Sequence, residues 1–212
     1  MRLHGYFRSS AAWRVRIALG LKGLVAEQSF HHLRKGEQNA PAYKALNPQG
    51  LLPALETDEG DVLTQSIAII EWLDETHPHP ALLPTDPIAR AKVRAFAQVI
   101  ACDTHPLQNL KVLNRVRALA GGDEGRVTAW AAGVIVDGFT ACEALLQDVP
   151  GPFAFGTSPT LADICLVPQV FNAQRLDVDL APYPRIRAIH EACMQHQAFA
   201  DAQPSRQPDA EK

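Results

Sequence analysis

The sequence predicts a protein of two parts, an α/β domain at residues 1–80 with the element order βαβαββα and an all-helical domain at residues 87–202. Short alternating runs that are typical of strands occur in the first part, whereas the second part consists of long alanine- and leucine-rich stretches with helical periodicity. Four prolines between residues 78 and 87 mark the linker between them. Neither a helix nor a sheet continues easily through such a segment.

The first domain begins with a strand at residues 2–6, which leads into a helix. The pair Ser9-Ser10 stands at the N-cap of that helix, where hydroxyl side chains are favoured, and apolar residues then recur with helical spacing. The helix ends near Gly23. The later elements are a strand at 27–32, a short helix at 41–46, strands at 52–57 and 62–64 around a hairpin turn at 58–61, and a helix that begins at Ser66 and stops before Pro78.

The second domain shows only helical patterns. Its expected helices cover residues 89–120, 124–147 and 160–173, followed by a last helical portion that opens at Tyr183-Pro184. Thr160-x-x-Asp163 has the form of a capping box at the start of the third helix. Residues 203–212 combine two prolines with polar residues, so we expect a flexible tail there.

Composition restricts the classes of function. A net charge of −3 with 20% charged residues does not resemble a nucleic-acid-binding surface, and no apolar run is long enough to span a bilayer or to form a secretion signal. The four cysteines are isolated in apolar or helical contexts without metal-ligand spacing, which indicates reduced, buried thiols. The sequence therefore predicts a cytoplasmic protein that acts on a small molecule, without metal, nucleic acid or membrane.

The serines at the first expected helix suit the chemistry of a thiolate. Ser9 and Ser10 combine hydroxyl donors with unpaired backbone N–H groups and the positive end of a helix dipole. Such a site can lower the pKa of a thiol from its reference value near 8.5 into the physiological range. Plain N-capping of the helix is the alternative interpretation of the same two residues.

Two further positions could bind an extended ligand. Gln49, Leu52 and Pro53 lie where a proline begins a strand, an arrangement that exposes the backbone of Leu52 for pairing with an added strand. Gln65 and Ser66 precede a helix and offer an amide, a hydroxyl and free N–H groups to a carboxylate. Taken singly, the first pattern is also consistent with a simple turn and the second with a helix cap.

The ordered set of motifs resembles the glutathione transferases, and residues 8–19 (RSSAAWRVRIAL) resemble the N-terminal signature of their zeta class, the maleylacetoacetate isomerase family. The resemblance covers roughly residues 1–200. Further matching motifs are residues 45–49 (ALNPQ), 65–73 (QSIAIIEWL), 103–110 (DTHPLQNL) and 160–163 (TLAD). It implies the glutathione-transferase fold with a thioredoxin-like N-terminal domain, glutathione as cofactor, and a homodimer.

By this resemblance the glutathione site is distributed over both domains. Ser9 and Ser10 would stabilise the thiolate, Leu52 before Pro53 would pair with the cysteinyl backbone, and Gln65-Ser66 would bind the γ-glutamyl end. The remaining binding candidates are Gln49, Asp103, His105 and Asn109. His105 is equally consistent with an interior histidine. The family motif usually continues with a cysteine, and this chain has Ala11 there, which leaves glutathione as the only nucleophile.

The resemblance also implies a reaction, the cis–trans isomerisation of a maleyl keto acid. Thiolate addition to the activated double bond, rotation about the resulting single bond and expulsion of the thiolate give the trans product and return the glutathione. Arg8 and Arg175 are the candidates for holding the substrate carboxylates. A solvated surface position is the alternative for both, since other arginines are plentiful: Arg14, Arg16, Arg34, Arg115 and Arg117.

Several functions remain open at this point. Residues 108–110 (QNL) favour maleylacetoacetate as substrate, whereas Lys111 keeps the shorter maleylpyruvate open. A conjugating or dehalogenating transferase and a non-catalytic glutathione-binding module are alternatives of other classes. The family counterpart of Asp163 serves folding, so this residue is placed outside the active site.

Overall fold

A computed structural model describes residues 1–211 of the chain and divides them into two compact units. Unit 1 comprises Met1–Ala81 together with the described residues from Met194 onward, and unit 2 comprises Leu82–Cys193. The α-helices are α1 Ser10–Lys22, α2 Pro41–Leu46, α3 Ser66–Thr76, α4 Pro87–Gln98, α5 Leu110–Leu119, α6 Glu124–Leu145, α7 Leu161–Arg175, α8 Pro184–Met194 and α9 Gln197–Asp201. No helix of residues 1–211 is long and apolar enough to cross a membrane.

Unit 1 is built on a four-stranded mixed sheet with the strand order β2-β1-β3-β4. Strand β1 runs parallel to β2 and antiparallel to β3, and β3 pairs antiparallel with β4. The strands are β1 Arg2–Gly5, β2 Glu27–Phe30, β3 Ala54–Glu56 and β4 Val62–Thr64. The central strands β1 and β3 contribute fully buried residues to the core, among them Leu3 and Leu55.

Helix α1 packs against α3 and α9 and is the most buried helix of unit 1. Its C-terminal end is fixed by Lys22, whose ammonium donates to Asp74 Oδ1 at 2.6 Å and to the carbonyls of His77 and Pro80 at 2.7 and 2.5 Å. A buried ammonium is tolerated only when it is paired and hydrogen-bonded. These bonds therefore join the ends of α1 and α3, whose opposite ends carry Ser10 and Ser66.

Unit 2 is helical, and its central helix α7 is buried along almost its whole length. The capping box expected at Thr160 is present. The Asp163 carboxylate accepts from the backbone N–H of Ala154 and of Thr160, both at 2.7 Å, and from the Thr160 hydroxyl at 2.9 Å. Burial raises the pKa of Asp163, while these hydrogen bonds oppose that shift. The residue thus fixes the loop before α7, as a folding role requires.

The fold class predicted from the sequence is confirmed, but the helix expected at residues 89–120 is wrong. Helix α4 passes into a π-helical turn at Val99–Thr104 and a 3₁₀ turn at His105–Gln108 before α5 begins. Pro106 lacks the N–H that an α-helix needs at this point. Gly138 of α6 allows the π-helical turn to approach closely, since a β-carbon there would overlap Thr104.

The structure also differs from the expected boundaries. The chain divides after residue 81, within the linker expected at 78–87, and unit 2 ends at Cys193, before residue 202. Residues 203–211, where a flexible tail is expected, belong to unit 1, contact its β1–α1 loop and include a 3₁₀ turn at Pro204–Arg206. Lys212, the last residue of that expected tail, lies outside the described residues.

Candidate active site

The loop between β1 and α1 presents the two serines differently. Ser9 is the N-cap of α1, with extended backbone angles, and its Oγ accepts from the Ala12 N–H at 3.2 Å. Ser10 is the first residue of the helix and is 5% exposed. Because the Ser9 oxygen acts as the acceptor in this bond, its hydroxyl proton remains available to donate. The first turn of α1 contains no acidic residue that would neutralise the positive end of the helix dipole.

Unit 1 contains no cysteine. All four cysteines lie in unit 2, whereas Ser9 and Ser10 belong to unit 1. Cys142, Cys165 and Cys193 are buried and Cys102 is exposed. Burial raises the pKa of Cys142 to about 12 and that of Cys193 still further, so both remain protonated at neutral pH. Within unit 1, no side chain can itself supply a thiolate at the start of α1.

The turn before β3 offers an unpaired backbone. The Leu52–Pro53 peptide bond is cis, and the preceding carbonyl, that of Leu51, accepts from Tyr43 Oη and Asn47 Nδ2, both at 2.7 Å. Leu52 itself is 8% exposed, and within residues 1–211 its backbone N–H and C=O make no hydrogen bond. Buried backbone groups are rarely left without a partner. The arrangement therefore fits a ligand that pairs with Leu52 as an extended strand.

The N-terminus of α3 brings together two of the residues expected from the sequence. Gln65 precedes the helix with φ of +68°, a left-handed conformation uncommon for a residue with a side chain. Its Nε2 donates to Gln49 Oε1 at 2.8 Å, and its side chain makes no capping bond to the helix. The first N–H groups of α3 thus remain open to an anion at the positive end of the helix. Strained backbone of this kind concentrates at functional sites.

Arg14 contacts a candidate site residue, and the sequence analysis did not place it near the site. It is 1% exposed, and its Nη1 donates to Ser66 Oγ at 3.2 Å, which links α1 to the start of α3. Arg16 is also buried. The sequence analysis named both as examples of solvated surface arginines, and for these two residues that interpretation is wrong. The signal was available in the sequence, because both residues interrupt an apolar stretch, residues 11–19, that leaves α1 without a polar face.

The candidate cation of unit 1 lies next to the serines. The Arg8 guanidinium is 5.5 Å from the centre of the Phe7 ring, within the range of a cation–π contact. Arg8 is partly exposed, which leaves part of its side chain accessible to a small anion.

The other expected site residues belong to unit 2. Asp103 is exposed in the π-helical turn, and His105 opens the 3₁₀ turn and is partly exposed. Asn109 caps α5, with Oδ1 accepting from the Val112 N–H at 3.0 Å, so only its amide group remains for a ligand. Arg175 is the last residue of α7; it is exposed and donates to the Asn172 side chain at 3.4 Å. A π-helical turn is often found at functional sites.

The groups described in unit 1 suit the chemistry of glutathione. Among residues 1–211, no group of three or more His, Cys, Asp or Glu side chains is placed to hold a metal. The outward hydroxyl of Ser9 suits a thiolate, the unpaired backbone of Leu52 suits a peptide, and the open N-terminus of α3 suits a carboxylate. These three groups are those of the cysteinyl and γ-glutamyl parts of glutathione.

Comparison with known proteins agrees with this geometry. Residues 8–76 match the family model of the glutathione S-transferase N-terminal domain, and residues 71–192 match that of the C-terminal domain. The chain is 50% identical over 212 residues to a maleylpyruvate isomerase from Ralstonia sp., covering 99% of this chain and 100% of the relative. It is 47% identical over 211 residues to a maleylacetoacetate isomerase from Pseudomonas aeruginosa, covering 99% and 98%.

Solved structures show the same relationship. The holo structure of maleylpyruvate isomerase, described as a bacterial glutathione S-transferase of the zeta class, has a TM-score of 0.96 and 49% identity with full coverage of both chains. A maleylacetoacetate isomerase from Methylobacterium extorquens AM1, solved with malonate and glutathione bound, has a TM-score of 0.96 and 39% identity, again with full coverage of both chains. This chain therefore belongs to the glutathione S-transferase family and, within it, to the zeta class.

Proposed function

We propose that the protein is a glutathione-dependent cis–trans isomerase that converts maleylacetoacetate to fumarylacetoacetate in the catabolism of aromatic compounds. The observation that carries this proposal is sequence identity: the chain is 50% and 47% identical, over almost its full length, to two isomerases of maleyl keto acids. Bound glutathione would supply the sulfur that adds reversibly to the conjugated double bond and leaves again after rotation.

The residues of unit 1 would hold the tripeptide and activate its sulfur. Ser9 donates its hydroxyl proton toward the sulfur, while the backbone N–H groups of the first turn of α1, which Ser10 begins, add the helix dipole. Leu52, held before the cis-Pro53 bond, pairs with the cysteinyl backbone. Gln65 and Ser66 bind the γ-glutamyl carboxylate, with Gln49 supporting Gln65 through their amide bond.

Cations would hold the dicarboxylate substrate while its central bond rotates. Arg8 lies directly before Ser9 in the sequence and keeps part of its side chain in solvent, so it is proposed to bind one carboxylate. Arg175 is proposed to bind the other. Asp103, His105 and Asn109 remain proposed contributors to the binding of glutathione.

Maleylpyruvate is a second candidate substrate, and a specific observation favours it. The Ralstonia relative and the holo structure with a TM-score of 0.96 are both named maleylpyruvate isomerases. Both acids share the cis double bond conjugated to a keto group, so the same reversible addition applies to either.

The test mixes the protein with each maleyl acid and a substoichiometric amount of glutathione and follows the loss of the cis-enol absorbance. We expect complete conversion of at least one acid with all glutathione recovered as free thiol. Consumption of one glutathione for each substrate would support a conjugating or dehalogenating transferase instead. Retention on immobilised glutathione without turnover of either acid would support a binding module and would contradict the proposal.

We further propose that the protein is a cytoplasmic homodimer, as the zeta-class resemblance implies. Partly exposed apolar side chains on unit 2, Leu107, Leu110 and Trp130, are consistent with a surface that another protein covers. Size-exclusion chromatography with light scattering at micromolar concentration should give twice the mass of one chain. The mass of a single chain would contradict the dimer.

A further inference from the structure

Residues 202–211, here called the docked segment, return from α9 to the loop that connects β1 to α1. The backbone N–H of Phe7 donates to Asp209 Oδ2 at 2.9 Å, although the two residues are separated by 202 positions in the sequence. Ala210 packs against a buried cluster that contains Tyr6, Phe7 and Leu52. The docked segment therefore contacts the residues immediately before Arg8 and Ser9.

Arg16 holds the same loop from within. Its Nη2 donates to the Phe7 carbonyl at 2.9 Å and its Nη1 to the Tyr6 carbonyl at 3.4 Å, while Nε and Nη2 donate to the Ala202 carbonyl at 3.2 and 3.1 Å. Burial lowers the pKa of Arg16 to about 10, and the Asp209 charge opposes that shift, so Arg16 remains a cation at neutral pH. Phe7 is thus held at its carbonyl by Arg16 and at its N–H by Asp209.

The Asp209 carboxylate serves the loop in two ways, because it accepts from the Phe7 N–H and its charge favours the cationic form of Arg16. Its second oxygen, Oδ1, is buried and has no hydrogen-bond partner among residues 1–211. Nearby Glu211, by contrast, is exposed and pairs with His32 at 2.6 Å rather than with the loop. Asp209 is half-buried, and removing part of a carboxylate from water costs free energy unless its hydrogen bonds offset the loss. The one bond that Asp209 makes fixes the peptide two residues before Ser9.

The docked segment also reaches the second binding element. The cluster on which Ala210 packs joins Phe7 of the β1–α1 loop to Leu52 of the turn before β3. Movement of the segment would therefore loosen both the loop that presents the Ser9 hydroxyl and the turn that presents the Leu52 backbone. The matched family models end at residue 192, before this segment begins.

We propose that Asp209 is a positioning residue for the glutathione site and that the docked segment sets the position of the Ser9 hydroxyl by fixing the Phe7 peptide. This inference rests on the proposed binding of glutathione by unit 1. Asp209 acts through Phe7 and does not itself contact the ligand.

The experiment compares three variants with the wild type. Asp209→Ala removes the bond to Phe7, and Asp209→Asn retains an oxygen that can accept from the same N–H. Asp201→Ala is the matched control, because Asp201 is an exposed carboxylate of the same region that pairs with Arg206 and not with the loop. The measurements are glutathione affinity by calorimetry, the pH titration of bound thiolate by its ultraviolet absorbance, and deuterium exchange of the peptide that contains Phe7 without ligand.

For Asp209→Ala we expect glutathione affinity to fall about five- to tenfold and the pKa of the bound thiol to rise, since a hydrogen bond to a carboxylate is lost. Exchange at Phe7 should accelerate, Asp209→Asn should restore most of each property, and Asp201→Ala should resemble the wild type. The thiol pKa distinguishes positioning from general destabilisation, which alone would not change it. If Asp209→Ala fails to fold, Asp209→Leu takes its place, because leucine keeps the size of the side chain and offers no acceptor to Phe7. In either variant, an unchanged thiol pKa together with unchanged exchange at Phe7 overturns the proposal.

The failure of this inference can be told apart from that of the proposed function. If the wild type binds glutathione as a thiolate and Asp209→Ala does so with equal affinity and equal thiol pKa, only the positioning role is overturned. If the wild type does not bind glutathione, the proposed function is overturned and the positioning role with it, even when Phe7 exchange responds to Asp209.

Discussion

Replacement of Ser9 by alanine separates its two tasks. The Ser9 oxygen accepts from the Ala12 N–H at 3.2 Å, which is at the long end of the usual range. Loss of this cap should lower the free energy of unfolding by about 1 kcal/mol. Loss of the hydroxyl donor to a thiolate should cost more, about 1.5–3 kcal/mol, because hydrogen bonds to charged groups are the stronger ones. At about 1.4 kcal/mol per unit, the pKa of bound glutathione should rise by about 1–2 units.

The assay titrates the thiolate absorbance of bound glutathione against pH and measures isomerase turnover and the unfolding midpoint on the same samples. Turnover near neutral pH should fall about ten- to a hundredfold as the thiolate population falls. Ser9→Thr supplies both cap and hydroxyl and should recover most of the loss, and Ser10→Ala, at a position 5% exposed inside the helix, should change the thiol pKa less. A Ser9→Ala protein whose thiol pKa and turnover equal those of the wild type would refute the role given to this hydroxyl.

Three further predictions concern stability. Asp163→Asn places an amide donor against groups that already donate, including Thr160. It should lower the free energy of unfolding by about 2 kcal/mol and the thermal midpoint by about 4–8 °C, measured by calorimetry. An unchanged midpoint would contradict the capping role of Asp163. Burial lowers the pKa of His31, so the unfolded state binds a proton at higher pH than the folded state, and the free energy of unfolding should fall as pH drops below about 6.5. Denaturant titrations should show that His31→Gln loses less stability on acidification than the wild type. An equal loss in both proteins would exclude His31 as the cause. Gly138→Ala forces a methyl group against Thr104 and should lower the free energy of unfolding by about 1–3 kcal/mol, measured by denaturant titration. An unchanged free energy would show that the close approach of α6 to Thr104 does not require glycine.

Local signals in the sequence were sufficient for most of unit 1. Pro41–Leu46 and Val62–Thr64 have the bounds expected from proline at a helix start and from a hairpin turn. Serine capping located the start of α1, because the preference at that position is strong and local. The other three strands were expected to be one to three residues longer than the paired segments β1, β2 and β3.

Features that depend on distant contacts could not be predicted in this way. Residues 203–211 have the composition of a flexible tail, and their contacts with distant residues, such as Asp209 with Phe7 and Glu211 with His32, are not visible in that composition. Arg14 was judged by residue type, although what decides its burial is the approach of Ser66 on another helix. The break at Val99–Thr104 was signalled by Pro106 but was hidden by the strong helical propensity on both sides.

The two-part composition of unit 1 has a consequence for the order in which the protein is completed during synthesis. The β1–α1 loop leaves the ribosome early, but its partner Asp209 follows 202 positions later, which corresponds to roughly 10–40 s at usual rates of translation. Until then the nascent loop lacks one of its anchors. A fragment that stops at Ala81 would lack the same anchor permanently, so we expect it to hold the β1–α1 loop less firmly than the whole of unit 1 does.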